Sequence, residues 1–208
     1  MLDGRLLVLF LAAASLLAIT PGPGIFYVLT RTLAGGKREG MLSVLGTFAG
    51  GLGHVAAAGL GLSAVLAASA TAFAVVKYAG AIYLVWLGFR MIRTRNVPMD
   101  ESFTAQTRNH AFRQGVATEI LNPKTALFFL SFLPQFVNPS LGRVVLQFLL
   151  LGVLSVSLNT TADLLVVSFA APIGSRLRSS ARFRRNQRVA TGVAMMGLGA
   201  FVAFGESK

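Results

Sequence analysis

Thr20-Pro21-Gly22-Pro23-Gly24 and Leu121-Asn122-Pro123-Lys124 interrupt two apolar stretches of this 208-residue chain at related places. A proline inside a helix has no N–H, and its ring displaces the carbonyl four residues earlier. Pro21, Pro23 and Pro123 therefore release the carbonyls of Leu17, Ile19 and Glu119. Such oxygens accept hydrogen bonds from an ammonium group. Half-helices restarting near Ile25 and Thr125 offer free N–H groups at the positive ends of their dipoles, where a carboxylate is held. Gly22 and Gly24 let a ligand reach the backbone, and Lys124 adds a cation. The chemistry on offer is recognition of a zwitterion by Pro21, Gly22, Pro23 and Gly24 on one side and Asn122, Pro123 and Lys124 on the other. For either break alone, a kink that only shapes packing competes with this reading. The matched pair weakens that alternative.

Three further ionisable residues stand within apolar sequence, where charge is costly and points to function. Asp163 lies beside Asn159, Thr160 and Thr161; its possible roles are to bind an ammonium group, to carry a coupling proton or to pair with Lys124. Glu119 stands one turn before Pro123 on the same helical face and has the same choices, nearer the cytoplasmic entrance. Gly46, Gly50 and His54 recur every four residues and share a face whose small residues allow close helix contact. Histidine is the side chain whose charge changes near physiological pH, so a proton-carrying role is open to His54; a hydrogen-bonded packing role competes. The chain has no cysteine, and its two histidines are far apart. With no metal-ligand spacing, nucleophile elbow or phosphate loop, the sequence reads as a protein that is not an enzyme and needs no cofactor or metal.

The elements that position these residues follow from composition. Hydrophobic residues make up 54% of the chain and charged residues 12%, with a mean hydropathy of +0.69, which describes an integral membrane protein. Apolar runs of spanning length lie near 6–29, 41–66, 71–92, 112–133, 144–169 and 189–204, six in all. The net charge of +12 does not indicate nucleic acid. Fourteen of the nineteen basic residues fall in three short segments after spans one, three and five. That asymmetry places loops 31–40, 94–111 and 174–188 in the cytoplasm beside anionic lipid headgroups, and both termini outside. The first apolar run reads as a retained span, because Pro21 follows the small residues where a signal peptide would be cut. Three spans per half require the halves to enter from opposite sides, which is an inverted repeat. The expected fold is thus all-α and polytopic: one transporter domain over 1–208, with repeats at 1–93 and 112–208, a basic connector at 94–111, and broken first and fourth helices. Glycine-rich faces permit a homodimer without requiring one.

Taken in order, Thr20-Pro21-Gly22-Pro23, Gly46-x3-Gly50-x3-His54, Lys77-Tyr78-Ala79-Gly80, Phe112-Arg113-Gln114-Gly115, Asn122-Pro123-Lys124 and Leu133-Pro134-Gln135-Phe136 resemble the lysine-exporter (LysE/RhtB) superfamily, in its homoserine, threonine and leucine efflux branch. The resemblance covers nearly the whole chain. It implies a secondary exporter of amino acids or close derivatives in the bacterial cytoplasmic membrane, driven by proton antiport. Gly24 and Glu119 depart from the family pattern, which often has asparagine at the first position and a neutral residue at the second. A channel or lipid scramblase, with a groove shaped by the two broken helices, is the alternative.

Overall fold

The computed structural model describes residues 4–62, 70–94, 110–170, 172–173 and 180–204, and within them every regular element is helical. Helix α1 (Gly4–Ile19) stops just before Thr20, and α2 (Pro23–Ala57) begins at the second proline of the first break. Proline is at home there, because the first N–H of a helix has no partner anyway. Helix α3 spans Ala70–Arg93. Helix α4 (Ala111–Ile120) gives way at Leu121–Asn122 to the short α5 (Pro123–Leu127), which continues into a π-type turn, Phe128–Phe132, and a 3-10 turn, Leu133–Phe136. Helices α6 (Val144–Ser168) and α7 (Ala181–Phe204) complete the chain. Most of the expected basic connector, at 95–109, lies outside the described residues, as do 174–179 of the third basic segment and 63–69 between the second and third apolar runs.

Helix α2 departs from the expected loop at 31–40. Helical backbone continues on both sides of a single residue, Gly36, whose φ of 78° and ψ of −175° suit only glycine. Eight residues of straight helix would separate Thr32 from Gly40 by about 12 Å. Instead the two are pressed together, and Val44 packs on Tyr27 and Val28. Residues 23–35 and 37–57 therefore form a hairpin turned at Gly36. Among the described residues, two helical stretches are long and apolar enough to cross a membrane: Pro23–Gly61, which contains this hairpin, and Val144–Ser168. Leu6–Ile19 and Arg188–Phe204 are shorter apolar helices.

Glycine sets the distances between helices. A Cβ on Gly46 would run into the Phe112 carbonyl, and one on Gly115 would lie 2.8 Å from the Ser43 carbonyl, so α2 and α4 touch backbone to backbone. Helices α3 and α7 do the same: Gly88 abuts the Gly192 carbonyl, and a Cβ on Gly199 would lie 2.7 Å from the Ala81 carbonyl. Between α2 and α6, Gly51 receives Val156 and Gly152 receives Val55. To one side of these contacts lies an aromatic core. Phe132 and Phe136 have ring centroids 4.9 Å apart, Phe128 and Phe132 5.0 Å, and Phe10 and Phe136 5.3 Å, all four rings buried.

Candidate functional site

The two breaks meet. Residues Gly24, Ile25, Thr47, Glu119, Asn122, Lys124, Asn159, Thr160 and Asp163 surround one polar cavity, with Gly51 and Val156 completing its wall. The space open to a water-sized molecule is only about 20 Å³, room for a single water.

Each break supplies different groups. At the first, no side chain caps α2, so its leading N–H groups, including those of Gly24 and Ile25, lack helix acceptors. At the second, Asn122 caps α5 through its side-chain oxygen, which accepts from the Lys124 N–H at 3.1 Å. The Asn122 amide nitrogen donates to Glu119 Oε2 at 3.0 Å, and the Thr125 hydroxyl donates to Glu119 Oε1 at 2.6 Å. Glu119 is thus gripped on both carboxylate oxygens from beyond its own break. A Cβ on Gly24 would stand 2.8 Å from Glu119 Oε2. The two positions singled out as departures from the family pattern are therefore in contact, and the absent side chain of one makes room for the carboxylate of the other.

The proline-released carbonyls have found partners. Lys124 Nζ donates to the Leu17 carbonyl at 3.1 Å and to the Thr20 carbonyl at 3.0 Å. His54 Nε2 donates to the Glu119 carbonyl at 3.0 Å, and its ring stacks on Phe129. Two of the three expected carbonyls, Leu17 and Glu119, are engaged in this way. That of Thr20 joins them because the backbone leaves the helix before Gly24 can donate to it. Lys124 is buried and forms no ion pair with Glu119 or Asp163. The pairing considered from sequence is replaced by bonds to backbone. Asp163 accepts from the Thr47 hydroxyl on Oδ2 at 2.9 Å; its Oδ1 has no hydrogen bond among the described residues. Of the ten positions picked out from sequence, Pro21, Gly22, Pro23, Pro123 and His54 lie outside the cavity wall: the prolines shape the backbone, Gly22 lies against Lys124, and His54 supports Glu119 from behind.

Residues 15–206 match the family described as LysE type translocator. The chain belongs to this family. The translocator is 29% identical over 169 residues to the homoserine/homoserine lactone efflux protein of Salmonella typhimurium, covering 81% of this chain and 80% of that one. It is 31% identical over 131 residues to the leucine efflux protein of Klebsiella pneumoniae, covering 62% of each. It is 36% identical over 194 residues, 90% of this chain and 87% of the other, to a membrane protein of Pseudomonas aeruginosa. No solved structure matches. Members of a translocator family move molecules, and the expectation of a transporter rather than an enzyme holds.

Several groups around the translocator's site carry no strong sequence signal. Thr47 and Thr125 hold the two acids, yet a threonine in an apolar helix usually donates to its own chain four residues back, as Thr32 does to Val28. Towards the Gly36 turn, the Tyr27 hydroxyl donates to the Ala111 carbonyl at 2.6 Å, and Arg31 bonds Gln114 and lies 3.9 Å from Glu39. These contacts tie residues 23–35 to α4. Beyond Ile25, which borders both spaces, an apolar groove of about 300 Å³ runs between Pro21, Phe26, Leu165 and Phe169.

Proposed function

We propose that this translocator is a secondary exporter of amino acids or close derivatives across the bacterial cytoplasmic membrane, by proton antiport. The observation that carries the reading is the convergence of both helix breaks on one buried polar cavity. Irregular backbone at membrane depth is tolerated where it lines such a cavity. The substrate carboxylate lies on the uncapped N–H groups of Gly24 and Ile25. Its ammonium group lies toward the carbonyls of Leu17 and Thr20, which Lys124 holds in the empty site, with Asn122 beside them. The names of the Salmonella and Klebsiella efflux proteins support amino acid cargo. Asp163 is the proton carrier in this reading, because it lines the cavity with one oxygen unbonded among the described residues, whereas Glu119 is bonded on both oxygens and His54 lies outside the cavity wall.

Six spans in two inverted halves accompany this function, with the basic segments in the cytoplasm. Reciprocal contacts support the inversion. Gly51 against Val156 mirrors Gly152 against Val55, and Gly88 against Gly192 mirrors Gly199 against Ala81. Each pair is the reciprocity of two antiparallel helices, the arrangement that an inverted repeat requires of corresponding spans. Rocking one half against the other then alternates access to the site. A channel or scramblase draws on the apolar groove beside Pro21 instead.

Counterflow into proteoliposomes with L-homoserine, L-threonine, L-leucine and L-lysine tests the proposal. Saturable flux that responds to an imposed pH gradient is expected, and Asp163→Asn is expected to insert normally and lose the response to pH. Flux without saturation would favour the channel, and no flux of any amino acid would reject the exporter.

A further inference from the structure

We infer that the Lys124 side chain is a resident stand-in for the substrate's ammonium group: it fills the carbonyl subsite of the first break while the site is empty and is displaced when an amino acid enters. The inference rests on amino acid transport and assigns a role within that site.

Lys124 Nζ donates to the Leu17 and Thr20 carbonyls at 3.1 and 3.0 Å. A lysine ε-ammonium and an amino acid α-ammonium are the same group, a single positive charge on a nitrogen with three N–H donors. Whatever holds one suits the other. The Leu17 carbonyl also accepts from the Thr20 N–H at 3.1 Å, whereas the Thr20 carbonyl has no other donor among the described residues. A buried carbonyl without a partner costs free energy comparable to a lost hydrogen bond, and Lys124 removes that cost at Thr20.

Space decides between a permanent and a displaceable lysine. With Lys124 in place, the cavity holds one water and excludes an amino acid. Something in the wall must leave for the site to fill. Glu119 is fixed through both oxygens, and Asn122 through its oxygen and its amide nitrogen. Lys124 is the long flexible side chain of the lining, bonded only at its tip. Its stem lies along Gly22, where a Cβ would stand 3.3 Å from Cε and 3.4 Å from Cδ, so glycine there leaves the arm its path. A displaced Lys124 also has a destination, since Asp163 lines the same cavity with one oxygen unbonded among the described residues.

An internal competitor reduces apparent affinity to the fraction of time that it leaves the subsite vacant. Purified wild type and Lys124→Met are compared by equilibrium binding of whichever of L-homoserine, L-threonine, L-leucine or L-lysine gives the largest wild-type counterflow. Lys124→Met is expected to bind roughly tenfold tighter, as removal of a competitor present about 90% of the time requires, and to turn over more slowly. Weaker binding by a folded Lys124→Met would overturn the inference, because Lys124 would then grip the substrate directly. Lys124→Ala with added propylammonium covers the case in which the methionine variant does not fold. Propylammonium is expected to compete with the amino acid in Lys124→Ala and not in wild type. Enhancement of amino acid binding by propylammonium, or no competition, would overturn the inference. Absence of any amino acid binding or counterflow in wild type would instead reject amino acid transport itself.

Discussion

Between Leu17 and Gly22 the chain contributes two carbonyl oxygens and no functional side chain, whereas around Leu121–Asn122 it contributes Glu119, Asn122, Lys124 and Thr125. Both breaks begin from the same event, a proline that cannot continue a helix, and they end as complementary halves of one site. The first is a receptor made of backbone, kept bare by Gly22 and Gly24. The second is a self-capped cluster whose acid and amide hold each other and whose lysine crosses to the first. The difference teaches that two proline breaks can divide the chemistry of one site: one offers bare backbone, carbonyls and N–H groups alike, and the other supplies side chains and charge.

The comparison is broken most severely at Glu119. Glu119→Leu strands the Asn122 amide and the Thr125 hydroxyl in a buried place, at a cost of roughly 2–5 kcal/mol. A fall in the thermal unfolding midpoint of the detergent-purified protein, with loss of transport, is expected; an unchanged midpoint would mean that the cluster is not held by this acid. Gly24→Ala tests the contact between the breaks, where the added methyl would sit 2.8 Å from Glu119 Oε2. A cost of about 1–3 kcal/mol is expected. The effects of Gly24→Ala and Glu119→Gln should be non-additive, as for residues in contact. Additive midpoint shifts would separate the two positions. The smallest effect belongs to His54→Phe, which keeps the stack on Phe129 and removes one hydrogen bond to the Glu119 carbonyl, worth about 1 kcal/mol. Transport by this variant should still follow a pH gradient, and loss of that response would return the proton to His54.

Both breaks were legible in the sequence because proline states its effect on backbone directly. The carbonyls of Leu17 and Glu119 could be named as released before any coordinate was known. The destination of Lys124 could not, since a four-carbon arm reaches acids and carbonyls alike and only the packing chooses. Gly35-Gly36-Lys37-Arg38 reads as a polar loop, yet a single glycine turns the hairpin and leaves the flanking residues helical. Thr47 and Thr125 were missed because a helical threonine normally satisfies itself. The partnership of Gly24 with Glu119 was visible only as two separate oddities 95 positions apart in the chain.

The seam between α3 and α7 has a mechanical consequence. At Gly88–Gly192 and Gly199–Ala81 no side chain separates the two backbones. A close-packed contact of this kind has no rotamer to change and no soft atom to compress. Because α3 belongs to the first half of the chain and α7 to the second, this seam would hold the halves at a fixed spacing and act as the pivot of the proposed rocking, not as a surface that opens.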